Sequence, residues 1–156
     1  MIKYLAVFFI SMIPILELRF AVPFAVGMDL PYIPALITCV IGNMIPVPFI
    51  YLFARKFLIW GAKQKYLGKF CTLVLEKGEK AGQKIVATTG RGGVFVALML
   101  FVGIPVPGTG AWTGTLAATM LDLGPKTTAA AVSLGVIMAG IIMAVASGSV
   151  FHIVGL

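Results

Sequence analysis

Four long apolar stretches divide the chain, at residues 2–28, 30–54, 92–121 and 127–154. The second and fourth run uninterrupted for about 25 residues or more. At 1.5 Å per residue each reaches roughly 37 Å, enough to cross the ~30 Å hydrocarbon core of a bilayer with some tilt. The first and third are each broken near the middle. Glu17-Leu18-Arg19 lies in the first, between Pro14 and Pro23, and Gly103-Ile104-Pro105-Val106-Pro107-Gly108-Thr109-Gly110 lies in the third. A charge at mid-membrane costs about 2.5–3.5 kcal/mol. Prolines two residues apart, followed by glycines, remove helix hydrogen bonds and free the backbone. Together these interruptions predict helical arms that enter the membrane, turn and leave on the same side, a backbone tolerated only when buried in protein or lining a wet cavity.

The expected fold is therefore an all-α integral membrane protein of two inverted repeats, each a re-entrant helical hairpin followed by a transmembrane helix. It forms a single domain, with repeat 1 at 1–54, a connector at 55–91 and repeat 2 at 92–156. A fixed offset relates the halves: Pro14 and Pro107, and Asp29 and Asp122, are each 93 positions apart (122 − 29 = 93). On this register Glu17 faces Gly110 and Arg19 faces Trp112, and each Asp is placed to cap the spanning helix that follows it. The competing topology is four through-going helices with both termini cytoplasmic, which Lys3 favours.

Composition narrows the class. Of 156 residues 60% are hydrophobic and 11% charged, against about 25% charged in soluble domains, and the mean hydropathy is +1.08. That excludes a soluble enzyme, a disordered tail and a nucleic-acid-binding module, despite a net charge of +7. Lys3 and the run to Ile15 imitate a signal peptide, but no Ala-x-Ala site follows. Arg55, Lys56, Lys63, Lys65, Lys69, Lys77, Lys80, Lys84 and Arg91 face only Glu76 and Glu79 in the connector. The positive-inside rule makes that segment cytoplasmic, with both chain ends outside, in a multi-pass protein of a prokaryotic cell membrane. Within it Leu58, Tyr66, Leu67, Phe70, Leu73 and Val74 recur at helical spacing among lysines, predicting an interfacial helix held by anionic lipid headgroups.

The polar residues of the apolar stretches are the candidates for chemistry. Glu17 and Arg19 do not pair on a regular helix at spacing i, i+2, but on a turning backbone they share a face. Glu17 is the expected proton-responsive group and Arg19 its counter-charge, with the unpaired N–H groups of an arm at 20–28 aimed at the same spot. Pro23 is harmless in that arm's first turn. The second tip offers no charge but supplies backbone groups, hydroxyls and a ring from Pro105, Pro107, Gly108, Thr109, Gly110, Trp112 and Thr113. Gly108 and Gly110 permit close approach of a ligand or of the opposite tip, and Thr109 is placed to cap the returning arm. Pro46 frees the carbonyl of Gly42, beside Asn43, a second candidate ligand or a structural kink. Gly140, Ala144 and Gly148 form a small-residue stripe that packs another helix within or between subunits. With the short length, it predicts a homodimer. Cys39 and Cys71 have no CxxC or metal spacing and are expected as isolated thiols. No metal, cofactor or catalytic constellation is visible, so the chain is not expected to be an enzyme.

The runs Glu17-Leu18-Arg19-Phe20-Ala21-Val22-Pro23 and Ile104-Pro105-Val106-Pro107-Gly108-Thr109-Gly110-Ala111-Trp112-Thr113-Gly114, with Gly42-Asn43-Met44-Ile45-Pro46-Val47-Pro48, resemble the small multi-drug export protein family across nearly the whole chain. The resemblance implies export of a small molecule. More distantly, a hairpin with Glu and Pro followed by a Pro-containing second hairpin is similar to the DedA/VTT superfamily. That likeness implies facing hairpins and movement of polyprenyl phosphate or another anionic lipid. The chain departs from it at Gly103 and Gly108-Thr109, where arginines are typical. The expected function is a small membrane transporter with a site formed by the two tips, the alternatives being an anionic-lipid translocase and a non-transporting assembly protein. Loss of pH-driven uptake in Glu17→Gln, with Arg19→Ala milder, marks the exporter, and the reverse weighting marks the translocase.

Overall fold

The computed structural model describes residues 2–14, 16–66, 68–106 and 109–154, without the side chains of 74, 75, 77–79, 81, 82, 85, 86 and 148–154. These residues form seven helices and no strand: α1 (Ile2–Met12), α2 (Glu17–Gly27), α3 (Tyr32–Met44), α4 (Pro46–Ala62), α5 (Gly68–Gly103), α6 (Ala111–Met120) and α7 (Pro125–Val154). Two are long and apolar enough to cross a bilayer, the continuous run Tyr32–Ala62 and Pro125–Ser147. Their outward faces are apolar, with Ile33, Ile37, Ile41, Phe49, Phe53, Ile137, Ile141 and Val145 exposed. Ser11, Glu17, Asn43, Thr115, Thr119, Thr128 and Ser147 are instead buried. Apolar outside and polar inside suits a hydrocarbon solvent, and the chain has the build of a membrane protein.

Both interrupted stretches are broken where proline and charge fall. α1 stops at Met12, and residues 13, 14 and 16 are in turn or bend conformation. Glu17 then donates its N–H to Ile13 O at 2.8 Å as α2 begins. α1 and α2 pack against each other. Each has 11 residues, about 16 Å at helical rise and half a hydrocarbon core. α5 ends at Gly103, a loop follows, and α6 returns with 10 residues. The 30–54 stretch does not unwind at the expected proline. Ile45, between α3 and α4, keeps helical angles of φ −58°, ψ −45°, and the helix continues to Ala62, taking Arg55 and Lys56 into its last turns.

The basic segment is organised differently from the single interfacial helix expected of it. Residues 63–66 form a turn, and α5 runs from Gly68 past 91, interrupted at Gly90 (φ 72°, ψ 170°), a backbone that glycine adopts without steric penalty. The expected apolar face is split between elements: Leu58 is buried in α4, Tyr66 is exposed in the turn, and Phe70 and Leu73, three apart in α5, are both exposed. Leu67 and the Val74 side chain lie outside the described residues. Cys39 and Cys71 are both buried free thiols.

The same backbone pattern recurs 93 positions along. Met28, Asp29 and Leu30 donate their N–H groups to Phe24, Val26 and Ala25 at 3.1, 3.0 and 3.2 Å. Leu121, Asp122 and Leu123 donate theirs to Ala117, Thr119 and Ala118 at 2.9, 3.2 and 2.9 Å. Asp29 (φ 55°) and Asp122 (φ 53°) hold the left-handed position of the two turns. This corrects the expectation that they cap the following helices. Each instead closes the helix before it in a Schellman turn, where a short polar side chain tolerates positive φ. Gly42 and Gly135, also 93 apart, let helices close in the same way. A Cβ on Gly42 would lie 2.7 Å from Phe8 O of α1, and one on Gly135 2.7 Å from Met99 O of α5. α2 packs on α7 as well as on α3, and α6 on α4 as well as on α7. Two residues of the small-residue stripe of α7 pack within the chain. Ala144 is buried, and a Cβ on Gly140 would meet Leu36 and Leu18, while Gly148 lies outside the described side chains.

Candidate functional site

The two turns meet. Glu17, the first residue of α2, has φ 47°, a left-handed conformation that disfavours a non-glycine residue by about 1–2 kcal/mol. The turn carries its carboxylate across to the start of α6. Oε1 accepts the Trp112 N–H at 3.2 Å, the Ala111 N–H also faces the carboxylate, and Oε2 accepts from Arg19 Nη1 at 3.0 Å. Gly110 makes this approach possible, because a Cβ there would overlap Glu17 Oε2. Glu17 thus supplies negative charge where the unpaired N–H groups and the dipole of α6 favour it.

Arg19 reaches in the complementary direction. Its Nη2 donates to Ile104 O at 3.1 Å and to Thr109 Oγ1 at 2.9 Å. Ile104 directly follows the last residue of α5, so the guanidinium sits where that helix presents its negative end. The pair is largely sequestered, with side-chain exposures of 14% for Arg19 and 5% for Glu17. One buried ion pair therefore ties both arms of the second turn to the first, with each charge matched to a helix end.

Asn43 joins the cluster from α3. With Glu17, Arg19 and Gly110, and with Val102 and Val136 as apolar walls, it lines a cavity of about 10 Å³, at the threshold for one water molecule. Asn43 Oδ1, Arg19 Nε and Trp112 Nε1 are buried without a hydrogen-bond partner, each an appreciable desolvation cost. In this conformation the tips are shut upon themselves.

The remaining expected residues have local roles or lie elsewhere. Pro23 falls inside α2 rather than in its first turn, and its missing N–H leaves the Arg19 carbonyl without an intrahelical donor. Pro105 is in the link after Ile104, where the Val106 N–H donates back to Ile104 O at 2.8 Å. Thr113 caps α6 locally, its Oγ1 accepting the Gly110 N–H at 2.8 Å. It therefore takes the capping role expected of Thr109, whose hydroxyl is committed to Arg19 and to the Ile104 and Val106 carbonyls at 3.0 Å each. Pro107 and Gly108 lie outside the described residues. Sequence reading expected backbone groups from the second tip, and the Ala111 and Trp112 N–H groups lie in that run; it overlooked the Ile104 carbonyl, just before it. The 93-residue register did place Glu17 opposite Gly110. Trp112, however, serves Glu17 through its backbone rather than facing Arg19.

Residues 17–142 match the family model described as "Putative small multi-drug export protein". No curated protein and no solved structure matches the chain.

Proposed function

We propose, for a chain that belongs to the small multi-drug export protein family, that it is a multi-pass cell-membrane transporter whose substrate site is the junction of the two turns. In this reading α1–α2 and the end of α5 with α6 are re-entrant hairpins of two inverted repeats, and their tips meet near the bilayer midplane. Arms of half the needed length, the shared Schellman turns and the crosswise packing of α2 on α7 and of α6 on α4 support it. The excess of Lys and Arg between 55 and 91 orients that segment to the cytoplasm and both ends outward.

The observation that carries the mechanism is Glu17 bound at the α6 N-terminus and to Arg19. The carboxylate occupies a ready-made anion site. A substrate anion and ionised Glu17 compete for the same N–H groups and guanidinium. Protonation of Glu17 withdraws its charge, so Arg19 and the end of α6 accept the anion in its place. Loss of the proton restores the clasp and expels the anion. Proton and anion then cross as a neutral pair, which avoids moving net charge through the low-dielectric interior. Flow is outward when the substrate's own gradient points outward.

The test is uptake of organic anions into proteoliposomes as a function of an imposed pH gradient. Wild-type protein responds to the gradient. Glu17→Gln, held in the neutral form, moves anions without regard to it, and Arg19→Ala moves none. Arg19 carries more weight here than sequence alone assigned it, because it bonds both tips. Gradient-dependent transport that persists in Glu17→Gln overturns the reading. Anion transport that is absent from folded wild-type protein, with scrambling of labelled polyprenyl phosphate in its place, moves the function to lipid translocation.

A further inference from the structure

Beside the clasp, the outer face of α4 forms an open groove of about 440 Å³ with the start of α6. Phe49, Ile50, Leu52 and Phe53 line it, with Lys56 at one end of the α4 segment and Trp112 contributed by α6. From Phe49 to Lys56 is seven residues, about 10 Å along the helix. Phe49 and Phe53 are 69% and 71% exposed, so the groove opens sideways toward lipid. Its volume lies in the range of sites for drug-sized molecules. Its charge has one sign, since Lys56 lines it and no acidic residue does. The neighbouring Arg55 is already paired with Asp122. Trp112 lines the groove from α6, its indole N–H buried and without a hydrogen-bond partner.

We infer that this groove is a lateral port for a drug-sized amphiphilic anion, its apolar or aromatic body on Phe49 and Phe53 and its negative group toward Lys56. This rests on the proposed transport function and gives its substrate class and direction of approach. The port adjoins the clasp directly, because Trp112 lines the groove and its backbone N–H holds Glu17 Oε1. The positive end of the port selects against cations of the same size.

The experiment uses Trp60→Phe protein, which keeps Trp112 as its single tryptophan, in phosphatidylcholine nanodiscs. Energy transfer from Trp112 to 8-anilinonaphthalene-1-sulfonate reports occupancy. Dodecyl sulfate displaces the probe and dodecyltrimethylammonium does not. Lys56→Gln weakens probe binding by about tenfold, Lys56→Arg retains it, and Lys63→Gln, at an exposed lysine outside the groove, leaves it unchanged. Equal displacement by both amphiphiles, or equal loss in Lys56→Gln and Lys63→Gln, overturns the inference. So does abolition of transfer when phosphatidylglycerol is added, which makes the occupant a bilayer lipid. Binding without transport removes the proposed function and leaves the port, and anion transport at the wild-type rate by Lys56→Gln removes the port alone.

Discussion

Arg19 Nη2 lies 2.9 Å from Thr109 Oγ1, a bond across 90 positions of sequence that fastens the first turn to the second. Thr109 also receives support from its own loop, so Thr109→Val removes the hydroxyl at nearly constant shape. It should lower stability by about 1–2 kcal/mol and loosen the 104–110 loop. The check is a thermal melt in detergent together with hydrogen exchange at the Ile104 and Val106 region, which should rise while α7 stays protected.

Breaking the ion pair from either side should cost more than removing it whole. Glu17→Ala strands a buried guanidinium and Arg19→Ala a buried carboxylate, each a loss of about 3–5 kcal/mol. The double substitution leaves neither charge unpaired and should fall well short of the sum. A double-mutant cycle read by denaturation measures the coupling, and additive losses would mean that the two charges do not depend on each other.

Gly110→Ala puts a methyl group where Glu17 Oε2 rests. The carboxylate must leave the α6 N-terminus, so the substitution should destabilise by about 1–3 kcal/mol. It should also uncouple anion movement from the pH gradient as Glu17→Gln does. Gly124→Ala, where a Cβ meets nothing, is the matched control. Equal effects of the two would remove Gly110 from the site.

The two Schellman turns give a paired prediction. Asp29→Gly relieves a left-handed aspartate and should stabilise by a few tenths to about 1 kcal/mol. Asp122→Gly relieves the same strain but loses the partner of Arg55, so its net gain should be smaller. Thermal melts of both variants, and of Asp122→Gly with Arg55→Gln, separate the two contributions.

Sidedness can be measured directly. Cysteines introduced at Lys3, Asp29 and Gln64 of a Cys39→Ala, Cys71→Ala background should label with an impermeant reagent. Positions 3 and 29 should react from one side and 64 from the other. Labelling of 3 and 64 from the same side would restore four through-going helices.

Much of this architecture was legible because lipid and proline write strongly in sequence. The apolar runs at 30–54 and 127–154 marked the long helices that span Tyr32–Ala62 and Pro125–Ser147, and Pro14 with Glu17 and the Pro-Gly run predicted both breaks. Asn43, Glu17, Arg19, Thr109 and Gly110 were singled out because polar or glycine residues are conspicuous in an apolar setting. What escaped notice was the Ile104 carbonyl and direction. That carbonyl is like any other in the sequence and is distinguished only by where α5 happens to end. The cap was assigned to Thr109 rather than Thr113 because α6 was read as starting one residue early; Gly110 is its N-cap and Thr113 its N3 residue. The aspartates were read forward, into the helix that follows, whereas positive φ ties them to the helix behind. The connector was read as one helix because amphipathic spacing was counted across 63–66, where the chain turns and the helical phase is lost.

Positions 17 and 110 hold the same rank in the two halves, and they touch. Were the halves twins, that rank would carry one residue type meeting itself: two acids would repel, and two glycines would leave an empty hinge with nothing to titrate. The junction therefore demands unlike partners, one half giving the charged pair and the other the bare peptide that receives it. Whatever likeness the halves keep in their turns, the chemistry lives in their difference.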